Sequence, residues 1–288
     1  MRSDDRRIAM GIGDAMSGSV CCLGSINFDV ALQVDRLPEP HEKIRARAVA
    51  TGGGGSACNT AVWLARQGAR TRMLGWVGDD ALGAFVLRAL AAEGVDVAGV
   101  KVLHAASPVA ICLSPPDDKR IVTSPVIDAP WTPDDALPFA EGADWLHTTV
   151  ADAAFLSRGR GTRRRLSLEL DGRYDPAFAR AADYLFTNQD ELARALGTDH
   201  PVRLLIERHR DDAAVWFVTN GRKGATIIRG GRAETVAAVP VEPVDRTGGG
   251  DAFNAGVIAS LLSGAEPAEA VRMGLELAAK AISRLGAR

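Results

Sequence analysis

The chain has 288 residues, 47% of them hydrophobic and 24% charged, with a formal net charge of −2 at pH 7. That is the balance of a soluble globular fold, long enough for one large domain or two modest ones around a real core. It gives no electrostatic case for nucleic acid or a membrane surface, and no apolar run is long enough to span a bilayer.

The first residues, MRSDDRRIAMGIGDAMSG, are polar and lack the apolar stretch of a signal peptide. Residues 1–18 are therefore expected to form a loose tail of a cytoplasmic protein. The fold is expected to begin at Ser19–Leu23, a short apolar run ended by Gly24-Ser25, which reads as a buried strand and a turn. Pro38 and Pro40 mark a turn, and the half-alternating Lys43–Thr51 suggests exposed β ribbon. From Ser56 or Ala57, the positions Ala61, Leu64 and Ala65 recur at helical spacing until Gly68 stops them. RTRMLGWVGDD reads as a strand, and Ala81–Glu93 as a helix closed by Gly94. The alternation continues through GADWLHTTV, RRRLSLELD, ADYLFTN, DELARALG, AAVWFVTNG, DAFNAGVIASLLSG and PAEAVRMGLELAAKAISRLG. Alternating strands and helices predict an α/β fold around a mostly parallel sheet, a single domain over 19–288. Segments 30–50 and 106–126 break the alternation and are expected to form a small β lid.

Several features read as structural. Cys21, Cys22, Cys58 and Cys112 contain no C-x-x-C pair, so buried reduced thiols are expected. His147 follows an apolar strand with no ligand partner at metal spacing and reads as a core residue. The basic run Ser157–Arg165 reads as a solvated loop, and Trp131 as a packing anchor in a Pro-rich stretch.

VDRTGGGDAFNAG, Val244–Gly256, is different: three glycines stand directly before an aspartate at a helix start. Helix N-termini expose unpaired N–H groups and partial positive charge, and glycines let an anion approach them. Gly248–Gly250 leading into a helix from Asp251 or Ala252 fits a phosphate cradle. A carboxylate there would repel the phosphate, but it suits a base taking a proton from an attacking hydroxyl. The alternative is Asp251 as an N-cap behind flexible glycines, and from these residues alone the two stand level. Neither G-x-x-x-x-G-K-[ST] nor a G-x-G-x-x-G in strand–turn–helix context occurs.

Five segments taken in order resemble the ribokinase/PfkB family of carbohydrate and nucleoside kinases: GSINFDV, TGGGGSACNTAVWLARQG, TNQDE, VTNGRKGA and VDRTGGGDAFNAG. The resemblance spans roughly residues 19 to 287. It implies a three-layer α/β/α sandwich with a roughly nine-stranded, mostly parallel sheet and a β lid. It also implies transfer of the ATP γ-phosphoryl group to a hydroxymethyl group of a small sugar. Ribose or a related furanose leads, because GSINFDV is nearest to ribokinase-type members. A nucleoside such as adenosine is the alternative, and a non-catalytic sugar-binding relative a third. By position, Asp251 matches the catalytic base, with the N–H groups of Gly248, Gly249 and Gly250 as the anion hole. Asn27 and Asp29 match the residues that grip sugar hydroxyls; the other reading of Asp29 is a turn former. Gly55 and Asn59 match the second substrate segment, where Asn59 could instead cap a helix. Asn188 and Glu191 match the N-x-x-E motif acting on Mg²⁺ and phosphate through water, unless Glu191 only favours a helix dipole. Thr219, Gly221, Lys223 and Gly224 match the nucleotide loop, in which Arg222 and Lys223 either reach phosphate or are solvated.

Some positions depart from the family pattern. Gly249 replaces the usual alanine, and Gly172 stands where many relatives have asparagine. Leu275, at the position that often faces adenine, offers no hydrogen bond. Asp245 matches a monovalent-cation ligand, but Arg246 beside it adds positive charge, and Arg288 ends the chain before the rest of a potassium loop. Cation activation is therefore expected to be weak or absent, and the alternative for Asp245 is a pair with Arg246 or another cation. A small-molecule acceptor, ATP and Mg²⁺ are the expected partners, and a homodimer through the lid is left open.

Overall fold

The computed structural model describes residues 18–115, 119–124, 132–160 and 164–288. The tail of residues 1–17, Trp131 and parts of the second lid segment and of the basic run lie outside the described residues.

The chain runs through β1 (Ser19–Leu23), β2 (Asn27–Gln33), β3 (Ala48–Gly54) and α1 (Ser56–Arg66). β4 (Arg70–Gly78), α2 (Ala81–Ala92), β5 (Asp96–Leu103), β6 (Val109–Ser114), β7 (Arg120–Thr123) and α3 (Pro133–Phe139) follow. Next come β8 (Trp145–Thr148), α4 (Ala153–Arg160), β9 (Arg165–Glu169), α5 (Phe178–Ala181), β10 (Tyr184–Asn188), α6 (Gln189–Leu196) and α7 (Pro201–Arg208). The last third holds β11 (Val215–Thr219), β12 (Ala225–Arg229), β13 (Arg232–Val236), α8 (Gly249–Leu262) and α9 (Pro267–Ile282).

Among the described residues, nine strands form one sheet in the order β13-β12-β11-β10-β9-β8-β1-β4-β5. It is parallel from β5 to β11, and β12 and β13 add an antiparallel hairpin at one edge. The central strand shows why its sequence is apolar throughout. Val20 and Cys22 face one core, shared with α1, α8 and α9, while Cys21 and Leu23 face the other, beneath α4, α5 and α6. A strand buried on both faces has no solvent side on which to alternate. This is the expected three-layer α/β/α sandwich.

The four cysteines are buried and free. His147 is a core residue: its Nδ1 pairs with Ser167 Oγ at 2.9 Å, and burial pushes its pKa down to about 3. The basic run is only partly a loop, since Ser157–Arg160 close α4 and Arg165 opens β9.

The lid is a second sheet, β3-β2-β6-β7. Its boundaries differ from the expected 30–50 and 106–126. The first lid strand already begins at Asn27, and the ribbon expected over Lys43–Thr51 is strand only from Ala48 to Gly54. Asn27 and Asp29 are thus lid residues, not residues of a turn. Register pairs Asp29 with Gly52 and Ala110, and Cys112 with Ile121. Period two then turns Asp29, Ala110, Cys112, Ile121 and Thr123 to one face, and all five line the cavity between lid and sheet.

Candidate active site

The C-terminal ends of parallel strands and the N-termini of α1, α6 and α8 converge under the lid. This is where an open α/β sheet places its ligands. They enclose a cavity of 690 Å³, adjoined by a second of 450 Å³ on the β10–β11 side.

The glycine loop answers the question its sequence raised. α8 starts at Gly249, two residues before the earliest expected position, with Gly248 as its N-cap. Gly248 has φ +77°, and a Cβ there would lie 2.2 Å from the Ala287 carbonyl oxygen, so glycine is required. Gly249, Gly250 and Asp251 form the first helical turn, whose N–H groups have no acceptor within the helix. Gly248, Gly250 and Asp251 line the cavity; Gly249 does not, and packs toward Ile282.

Asp251 is 7% exposed, and its Oδ2 accepts a hydrogen bond of 2.7 Å from Asn59 Nδ2 on α1. Burial pushes its carboxyl up to about 6, against the lowering by Asn59, Lys119 and Ser56. A base poised there is ionised at neutral pH yet accepts a proton readily. Asn59 therefore orients the aspartate, which its expected role as a substrate ligand did not include. Its Oδ1 is buried without a protein partner and remains open to a donor.

Asp29 also lines the cavity, and burial raises its carboxyl to about 6, opposed by Arg288 and Lys119. Its Oδ1 has no hydrogen-bond partner. The carboxylate occupies the space of a Cβ on Gly54, 2.0 Å away, so Gly54 makes room for it. Asn27 and Gly55 line the same end.

At the other end, Asn188 accepts from Glu191 N–H at 2.8 Å, capping α6. The N-x-x-E motif is thus first a helix cap, and it sets Asn188 and Glu191 on the walls of both cavities. Thr219 and Gly221 line the second cavity, but Lys223 is exposed and outside it. Gly224 is buried with φ +95° against β13, a packing position. Leu275 is buried in the core, also away from both cavities.

Asp245 is not paired with Arg246. Its Oδ1 accepts from Thr247 N and Oγ1 at 2.9 and 2.7 Å, and its Oδ2 from Gly286 N at 3.0 Å. The segment after α9 folds back over this loop, so Gly286 completes what the sequence left unclosed. Arg246 instead lines both cavities.

Four charged lining residues escaped the sequence reading: Glu169, Asp171, Arg173 and Lys119. Glu169 ends β9 with Oε2 unpartnered, and burial, with Asp251 next, holds its carboxyl well above the usual range. The available signal was an acid at the C-terminal end of an apolar strand, where α/β sites form.

The pfkB family carbohydrate kinase model matches residues 17–156 and 171–288. The ATP-dependent ribose-1-phosphate kinase of Halopiger xanaduensis is 31% identical over 291 residues, covering 93% of either chain. The ribokinase of Bacillus subtilis is 28% identical, with 94% of both chains covered. Arabidopsis thaliana ribokinase complexed with ribose and ATP superposes with a TM-score of 0.77 at 23% identity, covering 94% of this chain and of that one. With both the buried aspartate behind its glycine loop and this match over most of its length, the chain belongs to the pfkB family of carbohydrate kinases, phosphotransferases that act on a sugar hydroxyl.

Proposed function

We propose that the chain transfers the γ-phosphoryl group of ATP to a hydroxymethyl group of an uncharged small sugar, ribose or a related furanose. The observation that carries this reading is the shared cavity of Asp251 and Asp29. One carboxylate stands in the first turn of α8 and the other on the lid, with Asn59 beside the first. Asp29 can accept hydrogen bonds from two neighbouring hydroxyls, as a vicinal diol offers. That leaves the hydroxymethyl group toward Asp251, which takes its proton as the oxygen attacks phosphorus. The free N–H group of Gly250, with Gly248 in the wall, faces the charge that develops.

Glu191, with Asp190 beside it, lines the second cavity. Among the described residues no group of three or more His, Cys, Asp or Glu is placed to hold a metal ion. This donor set fits Mg²⁺, which keeps several waters and takes one or two carboxylates plus phosphate oxygens. The ion would supply charge neutralisation on those oxygens.

An uncharged acceptor is favoured over a sugar phosphate. The residues lining the cavity beside Asp29, namely Asn27, Gly55, Ala110, Ile121 and Ser124, are uncharged, and the two cations whose charge acts there, Arg288 and Lys119, already act on Asp29. The apolar side of the cavity, with Trp76, Val109, Cys112 and Ile121, supports a nucleoside as the second reading. Rates with Mg-ATP across ribose, fructose, adenosine and ribose 1-phosphate separate these. Highest kcat/KM for ribose 1-phosphate would overturn the uncharged acceptor. No turnover with any of them, despite binding, would indicate the non-catalytic relative.

Weak or absent potassium activation is also expected. Asp245 has its carboxylate oxygens satisfied by protein donors, so a K⁺ would have to displace them next to the Arg246 charge. The check is initial rate against KCl, with ionic strength held by a bulky organic cation. A saturable rise of about tenfold specific to K⁺ over Na⁺, worth ~1.4 kcal/mol in the barrier, would overturn it.

A further inference from the structure

Five residues line both cavities: Asn188, Glu191, Thr219, Arg246 and Lys119. They mark the junction between them. Four belong to the sheet side of the site, at the end of β10, on α6, at the end of β11 and in the loop before α8. Lys119 alone comes from the lid, directly before β7. Its charge reaches both ends of the cavity, lowering the carboxyl groups of Asp29 and Asp251. It also reaches Cys112, on the lid's inner face.

The junction is where the phosphoryl group must cross. On the kinase reading above, on which this inference rests, the nucleotide lies toward Thr219 and Gly221 and the acceptor toward Asp29. Charge then spreads over the equatorial oxygens between the two. Phosphoryl transfer is catalysed mainly by positioning and by fixed positive charge at those oxygens. The sheet side supplies Arg246 and the first turn of α8. A cation from the opposite wall would close the ring.

We propose that Lys119 is a lid-borne catalytic residue whose ammonium contacts the phosphoryl group in transit, so that seating the lid on the sugar completes the charge around the transferring group. The acceptor oxygen–phosphorus bond forms, and the bond from phosphorus to the β–γ bridging oxygen breaks. ADP leaves with that electron pair, the acceptor proton goes to Asp251, and Lys119 keeps its own protons. The lid is then part of the chemistry as well as the wall of the sugar site.

Lys119→Gln and Lys119→Arg test this in two ways. With wild type and the best sugar, Lys119→Gln is expected to lower kcat by about 10²-fold or more while changing the sugar KM by less than about threefold. Lys119→Arg should restore part of the rate. Calorimetry with Mg²⁺ and sugar then compares ADP with AMP-PNP, whose γ-phosphoryl group mimics that of ATP. Lys119→Gln should weaken AMP-PNP about tenfold and leave ADP within about twofold. A kcat within about threefold of wild type, or equal losses for the two nucleotides, would overturn the proposal. If wild type itself turns over no sugar, the kinase reading fails, and the ADP against AMP-PNP comparison still decides Lys119. Should Lys119→Gln not fold, Lys119→Arg and Lys119→Met carry the same comparison.

Discussion

Asp251→Asn is expected to lower kcat by about 10²- to 10⁴-fold while nucleotide binding stays near wild type. The side chain is buried in the first turn of α8 and held by Asn59 at 2.7 Å, so an isosteric amide keeps the packing. What it loses is the ability to accept the hydroxyl proton. The pH profile gives a second check. Burial raises the Asp251 carboxyl to about 6, so the protonated, inactive form dominates below that pH. The kcat of wild type should therefore rise with pH through about 6 and level off above it, and the residual rate of Asp251→Asn should lack this acid limb. A variant turning over at the wild-type rate would remove Asp251 from the role of base.

Asp29→Ala is expected to raise the sugar KM roughly 30- to 900-fold, from the loss of two charge-assisted hydrogen bonds worth about 2–4 kcal/mol together. The ATP KM should change far less. The sugar-free protein should lose little stability, because Asp29 Oδ1 is buried without a partner and the burial of its charge outweighs the attraction of Arg288 and Lys119. The combination of a little-changed melting temperature and weakened sugar binding distinguishes a ligand-binding carboxylate from a structural one. Equal effects on the sugar and ATP constants would place Asp29 outside the acceptor site.

Much of this arrangement was legible in the residues because local and global signals agree. The apolar run of β1 and the stop at Gly68 specify elements that packing also favours. Where they conflict, reading by propensity fails. Glycine is a poor helix former, so α8 was expected to begin at Asp251 or later, yet Gly249 and Gly250 are its first turn. The start of β2, Asn27–Asp29, was missed because NFDVALQ places its polar residues toward a cavity instead of solvent, which blurs the alternation of a half-buried strand. Lys223, either a phosphate contact or a solvated loop residue by its sequence, was considered because it sits in a motif, whereas Lys119 sits in none. Its place at the junction depends on the lid folding back over a site assembled from residues 69 (Asn188) to 127 (Arg246) positions away. Gly286 meeting Asp245 is likewise a contact across 41 residues that no local pattern encodes.

The division of the two carboxylates between sheets has a practical consequence for redesign. Asp29 belongs to the lid sheet, and Asp251 to a helix packed on the central sheet. On the reading proposed above, the sugar grip of Asp29 and the proton transfer to Asp251 therefore sit on separate elements, and Lys119 is what ties the lid to the phosphoryl step. A library confined to the inward-facing positions Ala110, Cys112, Ile121 and Thr123 would sample new acceptors while every backbone donor of the anion hole stayed in place.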